Sequence, residues 1–283
     1  MSLNRRSLVA AGLAAGADRA FAAPSAPERI VSLNPCLDAI LVKVADRGQI
    51  TAISHYSHDP GATSIGPSAR AFPAVYGSAE EVVALRPDLV LAARYGAPAT
   101  RAALARLGVR LEVFTLPGSI AESLAQVRRM GQVVGRPQRG EALAAGIEAA
   151  LAAAAPPPGA PRLSALVFQS GGFAVAEGTM MDELLTRTGF DNAASRYGLK
   201  LSGKVPLELL IADPPDVLLA GEARPGAPTW ADRVLSHPAL EAVAGRMRRA
   251  SLPQSLTYCG GPVLIAAAQR LAAIRDQALE ARA

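Results

Sequence analysis

Few residues in this chain of 283 carry chemistry, and most of them fall in loops. His55, His58 and Asp59 form a His-x-x-His-Asp stretch, and two imidazoles with a carboxylate could supply part of a metal shell. The remaining histidine, His237, precedes a proline and reads as structural. Contact with a chelate or an organic ligand is a second use of such a loop, and a solvated or purely structural loop is a third; no resident metal or cofactor is expected. Cys36 and Cys259 could form a disulfide, stand as thiols beside a ligand, or lie buried apart, since sequence gives no distance between them. A nucleophilic Cys36 would need an activating base, and no residue singles itself out for that role. Nucleophile-elbow, phosphate-loop and dinucleotide fingerprints are absent, so an enzyme is not expected.

The other chemistry is a pair of matched acids. Glu80 opens Glu-Glu-Val-Val-Ala-Leu-Arg-Pro-Asp-Leu-Val-Leu-Ala, and Glu208 opens Glu-Leu-Leu-Ile-Ala-Asp-Pro-Pro-Asp-Val-Leu-Leu-Ala. In both, the acid stands seven residues before the proline of Pro87-Asp88 or Pro215-Asp216. The apolar residues after each acid have helical spacing. Glutamate suits the positive first turn of that helix, and proline ends it. The four apolar residues that follow read as a strand buried on both faces. Each copy is therefore helix, Pro-Asp turn, buried strand, and two copies imply two similar α/β lobes. Glu81 reads as a solvated neighbour of Glu80.

Composition agrees with a globular chain, at 50% hydrophobic and 19% charged residues. The formal charge is +5, yet no basic stripe interleaved with aromatics appears, so nucleic acid is not an expected partner. Residues 1–22 read as a bacterial export signal of the twin-arginine type. Arg5-Arg6 precedes an apolar stretch too short to span a membrane, and Ala20-Phe21-Ala22 offers a cleavage point. A general secretory signal with two ordinary arginines fits the same residues. Removing Arg5, Arg6, Arg19 and Asp18 lowers +5 to +3.

The elements alternate. Arg29–Leu33 reads as a strand, Asp38–Ala45 as a helix and Ile50–Ser54 as a strand; a long polar loop follows to Tyr76. Arg101–Leu107 reads as a helix, Val109–Thr115 as a strand, and Ser119–Val134 as a serine-capped amphipathic helix. Gln138–Ala155 is alanine-rich with no strand before Pro156, which breaks the rhythm and reads as a stiff bridge. The second half restarts with a strand, Leu163–Phe168, a glycine loop around Gly171-Gly172, and a Thr179-capped helix to Arg187. A loop with Trp230, a short helix from His237-Pro238, a strand over Arg249–Leu252, a Tyr258-Cys259 loop and a last helix from Pro262 complete it.

Together these residues resemble the periplasmic substrate-binding proteins of ABC importers for cobalamin, ferric siderophores and haem. The resemblance rests on Arg29–Leu33, Glu80 with Leu85–Val90, Leu107-Gly108-Val109, and Gly131–Arg136 in the first half. In the second half it rests on Asp182–Leu185, Gly189, Asn192-Ala193, Pro206–Glu208, His237-Pro238 and Gly260–Pro262. It implies an α/β fold of two Rossmann-like lobes, each a mainly parallel sheet flanked by helices, joined by one long helix. The lobes are expected over 23–136 and 157–283, with 137–156 as the bridge. The resemblance further implies a periplasmic monomer that hands a corrinoid, ferric chelate, haem or other amphipathic ligand to a permease with its ATPase. Glu80 and Glu208 would dock onto that permease. An exported enzyme or a non-transport sensor on the same fold is the alternative.

In such lobes the ligand lies beyond the carboxyl ends of the strands. That rule selects Asn34, Cys36, Asp38, His55, Tyr56, His58, Asp59, Tyr76, Arg94 and Tyr95 from the first lobe. From the second it selects Gln169, Phe173, Trp230, Tyr258 and Cys259. Rings with a few fixed polar groups suit a small molecule. Arg94, with Arg70 as a second choice, would meet an anionic group of the ligand. Asp38, one turn from Asn34, instead suggests a neutral or partly cationic ligand.

Overall fold

The computed structural model describes residues 26–59, 64–169, 172–221 and 237–282. Its first half builds a five-stranded parallel sheet in the order β3-β2-β1-β4-β5. The strands are β1 (Ile30–Ser32), β2 (Ile50–Ser54), β3 (Ala74–Val75), β4 (Leu89–Ala93) and β5 (Leu111–Phe114). Between them run the helices α1 (Pro35–Val44), α2 (Ala79–Ala84) and α3 (Pro98–Arg106). Two antiparallel helices follow, α4 (Ile120–Val133) and α5 (Pro137–Ala153). The second half builds a six-stranded sheet in which β11-β10-β6-β7-β9 form a path and β8 pairs with β6. Its strands are β6 (Leu163–Phe168), β7 (Phe173–Val175), β8 (Phe190–Asn192), β9 (Ser202–Lys204), β10 (Val217–Ala220) and β11 (Arg248–Ser251). Its helices are α6 (Met180–Arg187), α7 (Leu207–Ala212) and α8 (Val263–Glu280). This is the mainly parallel two-lobe α/β architecture expected from the sequence. One difference is that β7 runs antiparallel to both β6 and β9.

The duplicated segment forms the corresponding corner of each lobe. α2 leads through Pro87-Asp88 to β4, which pairs with β1. α7 leads through Pro215-Asp216 to β10, which pairs with β6. The aspartates explain the repeat. Asp88 accepts the backbone N–H groups of Glu28 and Arg29, and Asp216 accepts the N–H and hydroxyl of Ser164. Each carboxylate thus registers the central strand of its sheet against its neighbour. The helix starts follow ordinary capping rules: Asn34, Ser78, Ser119 and Thr179 each accept backbone N–H groups of the first turn.

Alternate residues of the central strands enter different apolar layers. Leu89 and Leu91 join a core shared by both sheets, while Val90 joins a cluster on the opposite face. Val217 and Leu219 enter the shared core, and Leu218 the outer cluster of the second lobe. The shared core also takes Ala144, Ile147 and Leu151 from α5 and Leu271 and Ile274 from α8. Stiffness at the bridge therefore comes from packing as well as from helix propensity. A Cβ on Gly131 would lie 2.9 Å from the Cα of Gly140, so paired glycines let α4 and α5 approach backbone to backbone. Buried Arg275 of α8 donates to the carbonyls of Ala154 and Thr188, satisfying the ends of α5 and α6. The stretch read as an open loop from Ser54 to Tyr76 contains 3-10 turns at His55–His58 and Gly66–Ala71 as well as β3.

Candidate functional site

A cavity of about 480 Å³ opens at the carboxyl ends of β1 to β4. Asn34, His55, Tyr56 and Tyr76 line it, so four of the expected residues come together. The lining also includes Leu33, Pro35, Gly77 and Ala97, which are too bland in type to be picked from sequence; their position after a strand is the signal that could have found them. Arg94 and Tyr95 are exposed on the rim, between the lining residues Ala93 and Gly96. The His55 ring packs against two phenol rings, 4.0 Å from Tyr56 and 4.7 Å from Tyr76 by centroids. Its Nδ1 pairs with the carbonyl of Val75, which fixes the ring plane. Glu81 holds the Tyr76 side of the cavity by accepting the N–H groups of Tyr76 and Gly77. It is a structural tie rather than the solvated neighbour expected.

All the lining residues of this cavity belong to the first half of the chain, and the second half is tied to this region by a covalent bond. Cys36 and Cys259 are joined by a disulfide, with Cα atoms 5.2 Å apart and a sequence separation of 223. Cys36 follows the cavity residue Pro35, and Cys259 follows Tyr258, so the bond carries the cavity wall across to the second lobe. Neither sulfur is then a free thiol. Next to Tyr258, Thr257 pairs with Gln169 at the end of β6, and Gln169 donates its N–H to the carbonyl of Phe173. Lys204 lies over the Phe173 ring at 5.9 Å, a contact the sequence reading missed because β9 was not recognised. A second seam closes beside the disulfide, where the N–H of Gly261 donates to the buried Ser123 hydroxyl at 2.7 Å.

The rings at this junction are open to solvent: Tyr56 55%, Tyr76 77%, Tyr95 81%, Phe173 43% and Tyr258 43%. Large exposed apolar area of this kind marks a surface meant to be covered.

Four of the expected residues, Asp38, His58, Asp59 and Arg70, lie outside the cavity lining. Asp38 is fully buried beneath the cavity and does not line it, so it is not a ligand contact. Its environment is apolar core on one side, where a helix-opening aspartate in sequence looks solvated. Burial drives its pKa up to about 7, opposed by the neighbouring Ser32 and Ser57 hydroxyls and the Ser54 N–H. His58 pairs through Nε2 with the carbonyl of Phe72 and is not among the cavity-lining residues. Asp59 is exposed. Among the described residues no three His, Cys, Asp or Glu side chains gather to hold a metal. Arg70 is exposed on the Gly66–Ala71 turn, outside the cavity lining. His237 accepts the N–H of Ala239 through Nδ1, a local turn contact. Trp230 lies outside the described residues. Glu80 and Glu208 are exposed, each in the first turn of its helix, α2 and α7.

Residues 30–248 match the periplasmic binding protein family. The chain belongs to that family. By that membership it is a periplasmic substrate-binding protein. Among solved structures it is similar to a periplasmic heme-binding protein from Roseiflexus sp. RS-1 in apo form. The two are 27% identical with a TM-score of 0.67, over 89% of this chain and 99% of that one. It is also similar to a periplasmic heme-binding protein from Pseudomonas aeruginosa, 25% identical with a TM-score of 0.68, over 88% of this chain and 92% of that one. A periplasmic vitamin B12-binding protein from Vibrio cholerae shares the fold at 18% identity and a TM-score of 0.66, over 89% of this chain and 98% of that one. The comparison with curated proteins gave no match.

Proposed function

We propose that the protein captures a flat, conjugated metal chelate of the haem or corrinoid kind between its lobes and delivers it to the permease. The observation that carries this reading is the set of exposed rings: Tyr56 and Tyr76 in the cavity lining and Tyr95 beside it, with Phe173 and Tyr258 exposed on the second lobe. Offset stacking on a planar macrocycle uses such rings well, each pair contributing about 0.5–1.5 kcal/mol beyond area burial. Arg94 and Lys204 stand beside these rings, one on each lobe, as partners for anionic substituents. The relatives with the higher identities are both heme-binding proteins, which supports the same class. In this reading residues 23–136 and 157–283 form the lobes, 137–156 bridges them, and the signal is cleaved near Ala22. Glu80 and Glu208, matched in helix position on the two lobes, meet basic residues of the permease.

Titration of the ligand-free protein with hemin, followed by absorbance, tests the ligand class. Saturable binding that weakens on Tyr56→Ala and Tyr76→Ala is expected. Absence of any saturable spectral change would remove haem, and intact binding in both variants would move the site away from these rings.

A further inference from the structure

We propose that Asp38 is a positioning residue for ligand capture, its carboxylate holding from below the turn that presents His55 and Tyr56 to the ligand. This rests on the reading of the cavity as the ligand site. Asp38 Oδ2 accepts the N–H of Ser54 at 3.0 Å and the hydroxyl of Ser57 at 2.6 Å. Those two serines bracket His55 and Tyr56, so the carboxylate grips the turn on both sides of its two ligand-facing rings. Asp38 also sits in the first turn of α1, whose cap Asn34 lines the cavity and whose Cys36 is bonded to the second lobe. One helical turn therefore joins the far lobe, the cavity wall and the aromatic turn.

The carboxylate is an expensive way to do this. It is fully buried, and Oδ1 accepts no hydrogen bond. A buried acceptor left bare destabilises the fold, so α1 would be better served there by an apolar side chain. The feature that distinguishes Asp38 from such a residue is its pair of bonds to the turn.

Ionisation adds a readout. The groups facing Asp38 are Ser32 from β1, Ser54 at the end of β2 and Ser57 from the turn, and none of them is charged. α4, α5 and β4, which pack against α1, bring Val127, Met130, Ala144, Ile147 and Leu91 into the adjoining core. The titratable side chains on the turn are His55, Tyr56 and His58, and the two imidazoles pair with the carbonyls of Val75 and Phe72. Above about pH 7 the carboxylate is ionised and both bonds are charge-assisted. Below it the carboxyl is neutral, the bonds weaken and the turn loosens.

The test uses two readouts on the full mature chain and on Asp38→Asn. First, the amide resonances of Ser54 and Ser57 are followed by NMR from pH 5 to 9 without ligand. The wild type should show a titration near pH 7 that Asp38→Asn lacks. Second, hemin affinity should fall on the order of tenfold from pH 8 to pH 6 in the wild type and stay nearly level in Asp38→Asn. Identical amide profiles in the two proteins overturn the proposal whatever hemin does. So does a wild-type hemin affinity that ignores the amide titration. Amide profiles that differ as expected, with no hemin bound at any pH, uphold the grip of Asp38 on the turn and discard the haem reading instead.

Discussion

Replacing Cys36 and Cys259 together by serine removes the covalent tie between the lobes and should weaken the fold substantially. The bond closes a loop set by a sequence separation of 223. On the chain-entropy account, a loop of that length constrains the unfolded chain by on the order of 5 kcal/mol at 25 °C. Residual structure in the unfolded ensemble lowers the realised value, so a loss of about 3–5 kcal/mol is expected. Against a total stability of about 5–15 kcal/mol this is a large share. The assay is urea unfolding of the oxidised wild type and the double variant, followed by far-UV circular dichroism. The variant should unfold at lower urea with a steeper slope, because its unfolded chain exposes more surface. A stability difference below about 1 kcal/mol, or two reactive thiols titrated in the folded wild type, would refute the reasoning.

Gly260→Ala should open the seam beside the disulfide, since its Cβ would lie 2.4 Å from the Ser123 hydroxyl oxygen. A loss of about 1–3 kcal/mol by thermal denaturation is expected; an unchanged melting temperature would mean that the seam is slack. Reversing both Glu80 and Glu208 to lysine should abolish uptake in cells while leaving ligand affinity in solution unchanged, and a parallel loss of affinity would contradict the docking role. The raised pKa of Asp38 means that the folded chain binds this proton more tightly than the unfolded one. Its stabilising contribution is full below 3.8 and is lost as pH rises through about 7. The rise corresponds to on the order of 4 kcal/mol at ~1.4 kcal/mol per pH unit. Asp38→Asn should therefore gain stability relative to wild type as pH goes from 5 to 8, and a difference that ignores pH would show that Asp38 stays ionised throughout.

The doubled Pro-Asp segment made the two lobes legible because the same physics is used twice: a short helix opened by a glutamate in its first turn, a turn whose carboxylate catches the next sheet neighbour, and a strand apolar on both faces. Leu89–Ala93 and Val217–Ala220 could hardly be read otherwise. The cavity was legible in outline, since its residues follow strands and carry rings. Burial was not. Asp38 and Glu81 look alike in sequence, each an acid in a first turn, yet one is sunk in the core and the other ties down a loop. Short polar strands were also hidden: Ser202–Lys204 has no apolar alternation, and its pairing with β7 comes from the tertiary fold. Arg275 reads as one more charged residue on an amphipathic helix, and only packing shows that it caps two other helices. The distance between Cys36 and Cys259, which sequence left open, depends on the whole arrangement of the lobes.

The most direct test of ligand capture between the lobes is native mass spectrometry of the mature protein purified gently from its own periplasm. The account predicts a bound tetrapyrrole or ferric chelate, released on denaturation, whose retention drops when Tyr56, Tyr76 and Tyr95 are replaced by alanine. An empty protein that also leaves hemin, corrinoids and ferric chelates unbound would contradict it.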